Sequence, residues 1–232
     1  DSISMHPEWT APQTDIYLAP TQEIKRHLMK EGTRAEDILV TGIPVRQQFL
    51  DADCRQKRER NRTRRVLIMG GGLGLMPDLK ELLEKLHSMQ GVESVVITGK
   101  NHKMYEEWVN RYEDVEVLGY TENISRYMRG ADLVITKAGG ITLFEILHSQ
   151  VPLFVIHPFL EQEMNNARYA AEKGFAKVIW GRREDYIPEL EKLLSDEKMM
   201  EEMTGNVRRA CKEMIEVSLD EAVGIMEERM TA

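Results

Sequence analysis

ITKAGGITLFEI (residues 135–146) decides how this chain is read. It opens as a buried strand at Ile135, meets Gly139 and Gly140, and restarts at once with helical character. Thr142 and Glu145 stand three residues apart at that restart, the T-x-x-E spacing of a capping box. A tight strand-to-helix turn favours glycine on steric grounds alone. A helix N-terminus without side chains also lets an anion approach unpaired amides and their partial positive charge. Lys137 adds a formal charge beside it. Locally both readings stand.

Working outward, strands and helices alternate along nearly the whole sequence. Strands are expected at 15–20, 38–44, 65–70, 94–99, 115–120, 131–137, 152–158 and 176–180. Helices are expected over 21–32, with Thr21 as cap and Gly32 as stop, and over 77–89, 102–111, 123–129, from the glycines to 149, and over 163–173. Charged helix follows to the end. From 65 onward the strands are continuous Val/Ile/Leu runs joined by helices, which requires parallel pairing with both sheet faces covered. The expectation is an α/β fold with a doubly wound parallel sheet, Rossmann-like.

In such a sheet ligands bind beyond the carboxyl ends of the strands. Four loops there carry notable residues: Gly70–Gly74, Gly99–Asn101, Lys137–Gly140 and His157–Asn166. One glycine-rich loop is weak evidence, but two on one sheet edge suggest a diphosphate. The dinucleotide fingerprint fails, because the sixth position counted from Gly70 is Leu75 and no acid follows the next strand. The Walker pattern is absent. Asp51–Ala52–Asp53 is read as incidental, and the histidines have no ligand spacing, so no metal site and no cofactor are expected.

Composition narrows the rest. A net charge of −8 argues against a nucleic-acid partner. Two cysteines, Cys54 and Cys211, offer no disulfide framework. No apolar run approaches the ~18–20 residues that cross a bilayer. Residues 51–64 are rich in Arg and read as a basic linker that can meet an anionic membrane surface. The first residue is Asp1, and HPEW at 6–9 already has the character of mid-protein sequence, so a piece of a longer polypeptide is expected.

Taken in order, GGGLG, TGKN, LGYTENI, ITKAGGITLFEI, a Pro-led strand and EQEMNNA resemble the nucleotide-binding half of glycosyltransferase family 28. Within it the likeness is to processive diacylglycerol glucosyltransferases and monogalactosyldiacylglycerol synthases. Upstream, HPEW, DIYLAP and GTRAEDILVTGIPVRQQF resemble the end of that family's N-terminal domain. The resemblance implies the C-terminal domain of a two-domain GT-B glycosyltransferase. Residues 1–50 would be a remnant of the acceptor domain, 51–64 the linker, and 65–232 the nucleotide-sugar-binding domain with terminal helices.

It also implies roles. Gly71, Gly72 and Gly74 would close over the phosphates, and the backbone around Gly139, Gly140, Ile141 and Thr142, with Lys137 nearby, would hold the diphosphate. Asn123 and Ile124 would lie beside the uracil, Glu145 would take the ribose hydroxyls, and Gln162, Glu163 and Asn166 would reach the sugar. Glu161 stands where the family has glycine, which leaves the sugar open between UDP-glucose and UDP-galactose. The implied reaction is an inverting, metal-independent hexosyl transfer to a lipid acceptor, diacylglycerol, at the cytoplasmic membrane surface. The family's catalytic base belongs to an N-terminal loop that this sequence does not contain, so no catalytic residue is assigned. Two alternatives stay open: a non-catalytic UDP-sugar-binding module that completes a site with a partner subunit, and a UDP-N-acetylglucosamine epimerase-like protein.

Overall fold

The computed structural model describes residues 3, 11, 14–50, 63–70, 79–181 and 185–231. The basic linker through residue 62 and Gly71, Gly72 and Gly74 lie outside them.

The chain begins with a small parallel unit. β1 (Tyr17–Ala19) and β2 (Ile38–Val40) pair in parallel, with Tyr17 opposite Ile38 and Ala19 opposite Val40. Between them α1 (Gln22–Lys30) lays Ile24 and Leu28 over the pair, closing a small core with Ala19, Ile38 and Val40. Thr21 caps this helix by accepting from the Ile24 amide at 3.3 Å, and Gly32 (φ 100°) follows its end. Both signals act as the sequence indicates.

The main unit is a six-stranded sheet in which every neighbouring pair is parallel. Its strands are β3 (Arg64–Met69), β4 (Val92–Ile97), β5 (Val115–Leu118), β6 (Leu133–Thr136), β7 (Leu153–Ile156) and β8 (Ala176–Ile179). Their order is β5-β4-β3-β6-β7-β8. The chain thus winds outward from β3 to β5, then returns to place β6 on the other side of β3.

Strand residues alternate between two cores. Val66, Ile68, Leu133, Ile135 and Phe154 pack with α2 (Leu79–Ser88), α3 (His102–Trp108) and α7 (Ile187–Ser195). Leu67, Met69, Val134, Leu153 and Val155 face α4 (Ile124–Gly130), α5 (Gly140–Ser149), α6 (Glu161–Glu172) and α8 (Glu197–Met214). Burial on both faces is why the strands read as unbroken apolar runs.

Two connections fasten the small unit to the large one. The first is the segment after β2. Gly42 there has φ 74°, and a Cβ on it would sit 3.1 Å from the Phe144 ring of α5. The second is the return of the chain after α8. The amides of Glu216 and Val217 both donate to the Val40 carbonyl (2.9 and 3.2 Å), and Lys25 pairs with Glu216 at 2.8 Å. α9 (Leu219–Thr231) then runs back along the small unit, where Arg229 donates to Asp37 at 2.7 Å and to the Glu36 carbonyl at 2.7 Å. α9 starts with a capping box: the Ser218 amide donates to Glu221, and the Glu221 amide donates to the Ser218 hydroxyl.

Gly42→Ala is expected to destabilise the protein by roughly 1–2 kcal/mol in urea unfolding, because an L side chain pays that to enter the left-handed region, and Phe144 must also shift. Hydrogen bonds from Arg34 and then Arg229 hold the Asp37 carboxyl down at about 2. A lowered carboxylate pKa contributes stability above the ordinary value and loses it as pH falls toward the folded value. Amide exchange across α9 should therefore stay protected from pH 7 to about 4.5 and open below pH 3, whereas Asp37→Asn should open it at neutral pH.

Candidate functional site

The strand order reverses between β3 and β6, and a crevice opens beyond the carboxyl ends of such a pair. The quoted stretch occupies that position. β6 ends at Thr136, the Gly139 amide donates back to the Lys137 carbonyl at 2.9 Å, and α5 starts at Gly140. Gly139 is the N-cap (φ −66°, ψ 146°), and no side chain caps this end. The amides of Gly140, Ile141 and Thr142 are therefore the orphan donors of the first turn, together with the positive end of the helix dipole.

The capping-box reading of Thr142 and Glu145 fails here. Thr142 is the third residue of the helix, and Glu145 lies in its second turn. A capping box needs its first residue outside the helix in extended backbone, which at this turn is Gly139. Glu145 consequently does not serve the helix start.

Glu145 is instead buried, at 4% relative exposure, inside a helix whose neighbours Leu143, Phe144, Ile146 and Leu147 are all core. Burial raises its pKa, and the charge and hydrogen bonding of Arg46 oppose that rise. Arg46 Nε and Nη2 both donate to Oε1, at 3.1 and 2.9 Å. Arg46 belongs to the segment after β2 and caps a single 3-10 turn, Gln47–Phe49. Gln48 from the same turn accepts from the Ser125 hydroxyl (2.8 Å) and donates to the Glu122 carbonyl (2.9 Å) at the start of α4. That start carries Asn123, exposed, and Ile124, buried. One short segment thus touches both the helix bearing Glu145 and the loop bearing Asn123.

Arg46 and Gln48 were not singled out in the sequence. Nothing in their own spacing marks them; the available signal was that GIPVRQQF joins two units whose crevice needs polar lining.

On the far side, α6 meets the glycine turn through Asn166. Fully buried, it donates to the Ala138 carbonyl at 2.8 Å and accepts from the Ile3 amide at 3.1 Å. Its side chain holds the turn in place. Glu163 is also buried, its carboxylate 3.5 Å from the Phe159 amide, whereas Glu161 and Gln162 are exposed on the first turn of α6. Lys137 lies 5.2 Å from the centre of the Phe159 ring, joining the β6–α5 and β7–α6 loops over the crevice. His157, with φ 50°, sets its ring edge against Tyr186, and its buried Nε2 has no partner among the described residues.

Among the described residues no cluster of His, Cys, Asp or Glu could hold a metal ion, and no helix is long and apolar enough to cross a membrane.

The sequence matches the glycosyltransferase family 28 C-terminal domain over residues 65–219 and monogalactosyldiacylglycerol (MGDG) synthase over residues 3–45. A processive diacylglycerol beta-glucosyltransferase of Bacillus licheniformis is 35% identical over 217 residues, covering 88% of this chain and 55% of the relative. Its counterpart in Bacillus subtilis is 33% identical over 213 residues, covering 88% and 56%. The chain therefore spans about half the length of these relatives. Among solved structures, the glycotransferase of kitacinnamycin superposes with a TM-score of 0.68 at 19% identity, over 92% of this chain and 55% of the other. A UDP-N-acetylglucosamine 2-epimerase gives 0.56 at 18%, over 83% and 52%. Identities this low speak to fold alone, and the fold they share is the Rossmann-like C-terminal domain of GT-B proteins. The match from residue 65 to 219 covers more than half of the sequence: the chain belongs to glycosyltransferase family 28 and carries its C-terminal domain.

Proposed function

We propose that this chain is the donor-binding part of a glycosyltransferase that moves a hexose from a UDP-sugar to a lipid hydroxyl, diacylglycerol being the acceptor that its relatives' names suggest. The observation that carries the reading is the uncapped N-terminus of α5 at the β3–β6 reversal, with a buried carboxylate one turn farther on.

The roles are those the family resemblance implies, and the chemistry of each residue suits them. Amides of Gly140, Ile141 and Thr142 donate to the diphosphate without a Cβ at Gly139 or Gly140 in the way. Lys137 adds charge at the same mouth. On the same reading Gly71, Gly72 and Gly74, which follow β3 in the sequence, complete the phosphate cradle. Glu145 accepts from the ribose hydroxyls, while Asn123 and Ile124 border the uracil. Gln162 and Glu163, on the first turn of α6, reach the hexose hydroxyls, and Asn166 keeps the Ala138 carbonyl and the glycine turn fixed beneath them.

In the transfer, the acceptor oxygen attacks the anomeric carbon from the face opposite the diphosphate. The new C–O bond forms as the bond to the diphosphate oxygen breaks, inverting the configuration, and the hydroxyl proton passes to a base outside these residues. UDP leaves with negative charge building on its diphosphate. On this reading the first-turn amide dipoles of α5 and Lys137 meet that charge, and preorganised donors act most strongly where charge develops. The Arg-rich linker, 51–64, brings the protein to anionic lipid, where the acceptor resides.

Calorimetry should show saturable binding of UDP by the isolated chain. Glu145→Ala should weaken it by about ten- to a hundredfold, the worth of hydrogen bonds to a charged acceptor. EDTA should leave the affinity unchanged, and the isolated chain should transfer no sugar to diacylglycerol; robust turnover would sink the half-site reading. Co-sedimentation with vesicles containing phosphatidylglycerol should fall when Arg55, Arg58, Arg60 and Arg62 become Gln, by about 1 kcal/mol per charge removed. Unchanged sedimentation would remove the linker from the account.

A further inference from the structure

We infer that the pocket between α1, α6 and α8 is a second binding site, for a neutral sugar ring, free or borne as the headgroup of a lipid. It lies outside the β3–β6 crevice and does not rest on the UDP reading above.

The pocket has a volume of about 180 Å³ and lies where the small unit meets the large one. Thr21, Glu23 and Arg26 line it from α1 and its cap, Tyr169 and Lys173 from the end of α6, and Glu213 from α8. Drug-sized sites begin at roughly 300 Å³, so this one admits little more than a single ring. Tyr169 is its unanswered group. Only 8% of the residue is exposed, yet its hydroxyl has no hydrogen-bond partner among the described residues. Buried tyrosine hydroxyls ordinarily have one. The ring is held in place: it meets Phe175 edge to face at 6.3 Å, and the Lys173 ammonium stands 5.6 Å from its centre. Burial, and after it the charges of Glu23 and Glu213, push the phenol pKa up. The hydroxyl therefore sits in the field of two carboxylates that line the pocket, and it remains a donor.

The charges decide the class of ligand. Arg26 and Lys173 balance Glu23 and Glu213, so the lining carries no net charge. An anion would meet both carboxylates beside the phenol. A cation would compete with Lys173, which already stands 3.8 Å from Glu23 and 3.7 Å from Glu213. Those separations are too long for hydrogen bonds, so the ammonium keeps its donors and Glu213 its acceptors. The Thr21 hydroxyl accepts from the Ile24 amide at 3.3 Å and retains its own hydrogen. Fixed donors beside open acceptors, without net charge, match sugar hydroxyls, each of which gives one hydrogen bond and takes others.

The test titrates glucose and methyl β-glucoside into the full 232-residue chain and follows NMR shifts. Saturable binding is expected, at an affinity of about 1 mM. Equal affinities would admit a lipid-linked sugar, whereas a preference for glucose would restrict the pocket to free sugar; either result upholds the site. Tyr169→Phe should weaken binding about five- to tenfold and leave the urea midpoint unchanged, because the lost hydroxyl bonds no protein group. Lys173→Met should weaken binding by a similar factor. Glu145→Ala, which damages the crevice, should leave it as it was. Shifts that never saturate up to about 0.1 M sugar mean a pocket that takes water only, and overturn the inference. Affinity unchanged in both Tyr169→Phe and Lys173→Met overturns it too, and loss in Glu145→Ala assigns the sugar to the crevice instead. Failure of wild type to bind UDP would sink the nucleotide reading and leave this site standing.

Discussion

The reversal of strand order between β3 and β6 is the constraint on which the rest of this structure depends. The central strands β3, β6 and β7 are buried on both faces over their carboxyl halves, so chemistry there is confined to the rim. At the carboxyl rim such a reversal opens a crevice, and the start of α5 borders it. α5 borders it with glycine at the cap and glycine at the first helical position. A side chain at either place would narrow the approach to the first-turn amides. The helix then plunges directly into the larger core, with Leu143, Phe144, Ile146 and Leu147 all buried, which fixes its axis and so the aim of those amides.

That same burial sets the problem of Glu145. A helical stretch buried on every side, as 143–147 is, is normally apolar throughout, and this one contains a carboxylate. The answer comes from outside the sheet. The segment after β2 crosses onto α5 at Gly42, turns at Gln47–Phe49, and delivers Arg46 to the carboxylate. The arrangement couples the small unit to the crevice. The opposite fastening, through Arg229 of α9 and the Val40 carbonyl, ties the small unit down from the other end of the chain.

Much of this architecture was legible in the sequence, and the reasons are physical. Unbroken Val/Ile/Leu runs arise only where a strand is covered twice, so the strands and their parallel pairing could be read directly. Thr21 and Gly32 delimit α1 because capping is local. The same local rule misled at Thr142 and Glu145, where the required spacing occurs inside a helix already started by Gly139. Ser218 and Glu221 have the same spacing and do form the box, since Ser218 precedes its helix. Spacing alone cannot separate these cases. What separates them is where the backbone leaves extended geometry, and the Gly139 amide, drawn back to the Lys137 carbonyl, sets that point three residues early. Arg46 was beyond reach for a related reason: its partner lies 99 residues away, and the register of that contact is set by two units docking.

Asn166, which the family resemblance places beside the sugar, also has a bracing role that its packing makes visible. Fully buried, it spends a donor on the Ala138 carbonyl and its acceptor on the Ile3 amide. A buried carbonyl at a glycine turn would otherwise be left without a partner, at a cost of about 1–3 kcal/mol. By satisfying it, Asn166 keeps the peptide before Gly139 from flipping and so keeps the following amides pointed outward. Arg46 holds the acid from one side and Asn166 holds the turn from the other. Neither needs to touch a ligand for the crevice to depend on it, because a rim of bare backbone can be only as well ordered as the side chains that brace it from behind.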